Sequence, residues 1–151
     1  LIIIVDKEHK MDLEQRVRSR GYRMTPQREV VYEVLAEHEG QPMSTEDIHR
    51  LAAGKLPGLG LTTVYRSLEL FCQLGLAFTV HLREDAQYYE VNSGKHHHHM
   101  VCLSCGGVEV LEACLLDELK EKVKDKSDFL ITEHCMSLFG YCRECLAAGR
   151  K

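Results

Sequence analysis

At 151 residues, 44% hydrophobic and 28% charged, the chain is long enough for one compact domain or two small ones and too apolar to be disordered by composition. Its net charge of −4 excludes a protein that coats nucleic acid by bulk electrostatics, while leaving room for a local basic face. Seven cysteines, an odd count, argue against a secreted disulfide framework and for metal binding in a reducing compartment.

The opening "LIIIV" follows no basic segment and runs straight into "DKEHK", so it predicts neither a signal peptide nor a membrane span, and a cytoplasmic location is expected. Residues 1–10 precede Met11 and read as an extension without an assigned function. "DLEQRVRSRGY" places Leu13 and Val17 one helical turn apart and stops at Gly21. In "TPQREVVYEVLAEHEG", Thr25 is a cap and Pro26 a first helical residue; Val30, Val31, Val34 and Leu35 form the buried stripe, and Gly40 ends the segment. "STEDIHRLAAG" repeats this grammar, with Ser44 and Asp47 in capping-box spacing and Gly54 as the expected exit.

After the turn "KLPGLGL", the stretch "TTVYRSLELFCQLG" puts Val64, Leu68, Phe71 and Leu74 on one face, stops at Gly75, and leaves Thr63, Tyr65, Arg66 and Gln73 outside the stripe. "LAFTVHL" and "QYYEV" are strand-like runs around the polar turn "REDA". Helices followed by a hairpin predict a helix-turn-helix with a β wing; a small helical bundle with an appended hairpin is the competing pattern. Arg16, Arg18, Arg20, Arg23 and Arg28 stand against only Glu14 between Leu13 and Arg28, which favours contact with DNA over a merely solvated helix face.

"NSGK", Asn92 to Lys95, reads as a short linker. Beyond it "HHHHMVCL", "VEVL" and "FLITEHCMSLFGYC" suggest three strands. "LLDELKEKVKDK" is an amphipathic helix with Leu115, Leu116, Leu119 and Val123 inward. The fold class is therefore α+β, a winged helix-turn-helix over 1–91, a hinge at 92–95 and a small α/β unit over 96–151.

Cys102 with Cys105 and Cys142 with Cys145 form two CxxC pairs. Four thiolates enclose a tetrahedral zinc with no open position, a structural site that contributes folding free energy, whereas a redox pair would call for a βαβ context that is missing. Cys72, Cys114 and Cys135 lack such spacing and are expected as core cysteines. On a strand, His96 and His98 point to one face and His97 and His99 to the other, so one tetrad serves two sites. His134, Asp117, Glu90, and Glu109 or Glu112 are candidates to complete them. An open catalytic zinc with a nearby glutamate base, HExxH or HxE with PCxxC, is not written in this sequence, so no enzyme is expected.

These residues resemble the ferric uptake regulator family of metal-dependent bacterial repressors. The likeness rests on "RMTPQREVVYEVL", "STEDIH", "GLTTVYRSLELFCQLGL", "YYEV", "HHHHMVCLSCGGVEV" and "ITEHCMSLFGYCREC", in the family's order from about Gly21 to Cys145. The resemblance implies that the second half is a dimerisation domain. It implies that Tyr65 and Arg66, with Thr63, read operator DNA, and that Arg23 and Arg28 support them at the backbone. It maps one regulatory metal site onto His96, His98, Asp117 and His134, and a hinge site onto Glu90, His97 and His99. Two departures stand out: Gln41-Pro42 replaces a family histidine, and Val110 sits where an acidic ligand is expected, leaving His38, Glu39 or Glu109 to complete the hinge set.

The implied protein is a homodimeric repressor of metal-homeostasis genes, with structural Zn2+ and regulatory Fe2+, bound to palindromic double-stranded operator DNA and not to a membrane. Zn2+ or Mn2+ is the alternative regulatory ion; the alternative readings within the family are a zinc uptake regulator and a peroxide sensor that uses histidine oxidation at iron. A zinc adaptor or metal-storage protein without a DNA role is the reading from another class.

Overall fold

The structure, a computed structural model, describes residues 7–83, 86–112, 114, 117–124, 126–127, 129, 131–132, 134 and 136–151, with the backbone alone for 7–12, 83, 86 and 117–120. The chain divides into two compact units, Leu1–Gly94 and Lys95–Lys151.

The first unit contains α1 (Lys7–Ser19), α2 (Pro26–Glu37), β1 (Met43–Ser44), α3 (Thr45–Lys55), α4 (Leu61–Gln73), β2 (Ala77–Arg83) and β3 (Ala86–Val91). Gly21, at φ +81°, turns the chain out of α1 through the left-handed region that a side chain resists. Helix α2 starts where the sequence writes it: the Thr25 hydroxyl accepts the Arg28 amide at 3.4 Å, and Pro26 occupies a position whose N–H has no helical partner. Ser44 caps α3 by accepting the Asp47 amide at 3.2 Å, and its own hydroxyl donates to the Asp47 carboxylate at 2.8 Å. Gly54 does not end α3, which continues to Lys55 and closes through the Leu56 amide on the Ala52 carbonyl. One glycine in a helix costs only about 1 kcal/mol, and burial of Ile48 and Ala52 outweighs it.

Val31, Val34, Leu35, Ile48, Val64, Leu68 and Phe71 meet in one core, joined by Leu13 and Val17 from α1 and by Tyr89 and Val91 from β3. Val30 and Leu74 pack at its edge, half-buried. Tyr32 meets Phe71 edge to face, ring centroids 5.6 Å apart. The hairpin β2–β3 pairs antiparallel, with Ala77 opposite Val91, and its register shifts between Val80 and Arg83. Sequence pattern missed β1: its two residues pair with Tyr88 and Tyr89, so the wing is three-stranded in the order β1-β3-β2. Two residues are too short for a period to register.

The second unit contains β4 (His98–Cys102), β5 (Val108–Leu111), α5 (Asp117–Lys124), β6 (Ser137–Gly140) and α6 (Arg143–Ala147). Its sheet is ordered β5-β4-β6, with β5 antiparallel and β6 parallel to β4. The expected third strand contracts to four residues, and α6 was not foreseen. Of the four residues expected inward on α5, Val123 is half-buried; Leu115 and Leu116 lie outside the described residues, as does the Leu119 side chain. Among the described residues the buried side chains of this unit are Val101, Cys102, Cys145, His98 and His99, so ligand side chains occupy much of what would otherwise be apolar core. A core this thin needs a staple.

Candidate metal centres and nucleic-acid interface

Strand β4 delivers Cys102 at its last residue, the turn after it brings Cys105 back, Cys142 caps the start of α6, and Cys145 stands within that helix. The ligand atoms of all four lie within 4.8 Å of one another. Cys105 Sγ and Cys142 Sγ are 3.8 Å apart. Zinc–thiolate bonds of about 2.3 Å in a tetrahedron set sulfur–sulfur edges of about 3.8 Å, so this donor set fits zinc. Backbone amides already face the sulfurs: Cys142 N–H donates to Cys102 Sγ at 3.3 Å and Gly107 N–H to Cys105 Sγ at 3.4 Å. The Cys102 thiol is drawn down to about 6 by the backbone amides of Cys105 and Cys142. Cys145 is pushed to about 11; a hydrogen bond from Ser104 pulls it down, but burial and the sulfurs of Cys142, Cys105 and Cys102 outweigh that pull. Four crowded sulfurs resist becoming four thiolates by themselves, and a divalent cation supplies the missing charge.

The histidine run enters β4 rather than lying wholly on it: His96 and His97 precede the strand, and His98 and His99 open it. The rings still pair by parity. Those of His96 and His98 are 4.6 Å apart and those of His97 and His99 are 5.0 Å apart. His134 joins the first pair: His96 Nε2 lies 2.9 Å from His134 Nε2 and 3.1 Å from His98 Nε2. Burial, and then the neighbouring imidazoles of His96 and His134, hold the His98 ring below its ordinary pKa, which keeps a lone pair available for a cation. The fourth donor drawn into this group is Cys114, whose Sγ is 3.5 Å from His134 Nε2. Cys114, expected as a core cysteine, is half-buried beside this histidine group. Its spacing carries no motif; the one hint in the sequence is that it stands three residues before Asp117. Asp117 is the first residue of α5, and its side chain lies outside the described residues, as does Cys135. Cys72, by contrast, packs against the core of the first unit, where burial pushes its thiol up.

Glu90, near the end of β3 in the first unit, is 1% exposed, and its Oε1 accepts the Gly40 amide at 3.0 Å. Gly40, at φ +77°, offers that amide from a conformation side chains rarely adopt. His38 turns its Nδ1 to the Val34 carbonyl at 2.8 Å, inside its own helix end. In the second unit, Glu109 stands opposite Met100 and Val110 opposite His99 in the antiparallel β4–β5 register. Directly opposed residues share a face and successive ones alternate, so exposed Glu109 lies on the face away from His99 and leaves the expected hinge set.

On α4, Thr63, Tyr65 and Arg66 are exposed while Val64, Ser67 and Leu68 face the core. The Tyr65 hydroxyl donates to the Glu46 carboxylate in α3 at 3.4 Å. Arg28 Nη1 donates to the Arg23 carbonyl at 2.6 Å, tying the start of α2 to the loop before it. The arginine cluster is partly spoken for: Arg18 pairs with Glu14 at 2.6 Å, an exposed pair worth little.

The model of the ferric uptake regulator family matches residues 19–139. The chain belongs to the ferric uptake regulator family. It is 34% identical over 142 residues to the ferric uptake regulation protein of Bacillus subtilis, covering 91% of this chain and 95% of that one. It is 27% identical over 141 residues to the peroxide-responsive repressor PerR of Staphylococcus epidermidis, covering 91% and 93%. The solved structure of the Vibrio cholerae ferric uptake regulator superposes with a TM-score of 0.75 at 29% identity, covering 87% of this chain and all of that one. The likeness extends over both units.

Proposed function

We propose that this family member is a homodimeric, cytoplasmic repressor of metal-homeostasis genes that binds double-stranded operator DNA in response to Fe2+. Metal-responsive repression follows from membership of the family; iron, the dimer, the operator contacts and the ligand assignments are this reading's own. The observation that carries its metal dependence, whichever ion is held, is the convergence of His96, His98 and His134 on one point from separate segments of the second unit. Imidazoles crowd in this way where a cation is to be held.

DNA contact is supported by α4, which presents Thr63, Tyr65 and Arg66 to solvent, with Arg23 and Arg28 as backbone supports. Arginine reads guanine bidentately, and a threonine or tyrosine edge suits a thymine methyl or a phosphate. Homodimerisation is supported by Val110 and Phe139, exposed apolar side chains that the register sets on one face of the small sheet. The hinge set Glu90, His97 and His99 is carried over from the resemblance, with buried Glu90 and the paired rings of His97 and His99 in its favour. Among the described residues no helix is long and apolar enough to cross a membrane.

A bound divalent ion supplies positive charge and fixed directions to its ligands. The chain's part is to hold neutral imidazoles in place, and to favour one arrangement of the dimer when they are engaged. Each tenfold difference in metal affinity between two arrangements shifts their ratio by about 1.4 kcal/mol, so a hundredfold gain in DNA affinity asks for about 2.8 kcal/mol. Titrating Fe2+, Mn2+ or Zn2+ into the protein with labelled operator tests the reading: affinity should rise at least tenfold with Fe2+, and affinity indifferent to every metal removes it. A zinc uptake regulator is the second reading, favoured by the Cys114 thiol among the histidines. A storage or adaptor protein would show no effect of Arg66→Ala on operator binding, since it binds none.

A further inference from the structure

We propose that Cys114 is the fourth ligand of the His96–His98–His134 group, which makes this a closed three-imidazole, one-thiolate site for Zn2+ rather than a mixed nitrogen and oxygen site for Fe2+. The inference deepens the proposed function by assigning a metal class to one of its sites, and it rests on that reading only for metal being bound in the second unit.

The four donor atoms lie within 4.8 Å of one another. Zinc bonds of about 2.0–2.1 Å to imidazole and 2.3 Å to sulfur set tetrahedral edges of about 3.3 Å between nitrogens and about 3.5 Å between nitrogen and sulfur. The separations here are 3.1 Å for His96–His98, 2.9 Å for His96–His134 and 3.5 Å for Cys114–His134. The two nitrogen edges given need to open by a few tenths of an ångström, the Cys114–His134 edge is already at its length, and the remaining edges are within 4.8 Å. Hydrogen bonding alone is a poor account of the cluster. An imidazole Nε2 carries either one proton or one lone pair, whereas His96 Nε2 faces two other Nε2 atoms at contact distance.

The donor set then decides the metal class. Thiolate is a soft ligand that suits zinc and monovalent copper, while carboxylate and water suit manganese and magnesium. Four protein ligands also leave no open position for a substrate or oxidant, which belongs to a holding site and not a reactive one. The chain would thus carry zinc in two closed cages, one of four sulfurs and one of three nitrogens and a sulfur. Response to iron would fall to ligands outside both cages.

The experiment uses the full-length dimer with zinc retained in the Cys102, Cys105, Cys142 and Cys145 cluster, followed by a titration with Co2+ as a spectroscopic probe. The second metal to bind should give intense tetrahedral visible bands and a near-ultraviolet thiolate-to-cobalt charge-transfer band. Cys114→Ser should lose that band and weaken Zn2+ binding at this site at least tenfold in chelator competition, while Cys135→Ser and Asp117→Asn keep the band. A wild-type second-site spectrum without the band, a band that survives Cys114→Ser, or one that disappears with Cys135→Ser overturns the assignment. None of these readouts involves DNA, so metal-dependent operator binding stands or falls separately. Conversely, an intact band beside operator affinity indifferent to metal sinks the regulatory reading and leaves the ligand assignment in place.

Discussion

His134 Nε2 stands 2.9 Å from His96 Nε2, although the two residues are 38 positions apart. The pairing of β6 with β4, Ser137 opposite His99, is what brings the segment carrying His134 alongside the start of the histidine run. The metal group therefore depends on the closure of the small sheet. Loss of either histidine should cost the group a ligand without unfolding the first unit, whose core is built from other residues. His134→Ala is expected to reduce Zn2+ or Co2+ affinity at this group by at least tenfold in chelator competition; unchanged affinity would remove His134 from the ligand set.

The sulfur cluster should behave differently, as a folding element. Cys102 and Cys145 are both buried, and among the described residues of their unit Val101 is the one buried aliphatic side chain. Cys145→Ser, or prolonged exposure to a strong chelator, is expected to release zinc and unfold the second unit while α1 to α4 keep their helicity. Zinc content and circular dichroism read together check this; a zinc-free protein with full structure would contradict it.

On α4, Arg66 is exposed and makes no contribution to the core of the first unit. Arg66→Ala should leave the melting temperature unchanged and weaken operator binding by about 1–3 kcal/mol, with relaxed sequence preference, as loss of a base contact does. Arg23→Ala should instead weaken binding to all sequences alike and lower the salt dependence by about one ion, the signature of a phosphate contact. Fluorescence anisotropy across a salt series separates the two.

The face that Phe139 shares with Val110 tests the oligomeric reading. Phe139 is 53% exposed, so Phe139→Glu should fold normally as a single chain. Sedimentation should show the wild type as a dimer and the variant shifted toward monomer; a variant that stays dimeric places the interface elsewhere.

The Ser44 cap gives a prediction for stability and pH. Removing its hydroxyl in Ser44→Ala should cost about 1 kcal/mol in urea denaturation. The Asp47 carboxyl is held below its ordinary 3.8 by the hydrogen bond from Arg50, and then by that from Ser44. A carboxyl lowered in the folded state adds stability above its unfolded pKa, and that addition is lost as pH falls through the folded value. Wild type and Asp47→Asn should therefore differ near neutral pH and converge as the pH falls through the lowered folded-state pKa of Asp47. Because Asp47 and Arg50 are both largely exposed, the difference should be small and should shrink further in salt.

Much of the first unit was legible from local pattern. Thr25 and Ser44 cap through bonds that span three residues, and the stripes of Val31, Val34 and Leu35 and of Val64, Leu68 and Phe71 follow the helical period. Gly54 misled because a glycine's cost in a helix is smaller than the burial gained by continuing past it. β1 escaped because its pairing is made with Tyr88 and Tyr89, far along the chain, with nothing local to announce it.

By itself the sequence determined the two cysteine pairs, the parity of the four histidines and the amphipathic faces, because each is written within one or two turns of backbone. Tertiary structure decided who meets whom: that Glu109 faces away from His99, and that Cys114 stands beside His134. Ligand geometry at a cation depends on strand register and loop return, and those are fixed by contacts between residues far apart in the chain, where spacing carries no record of distance.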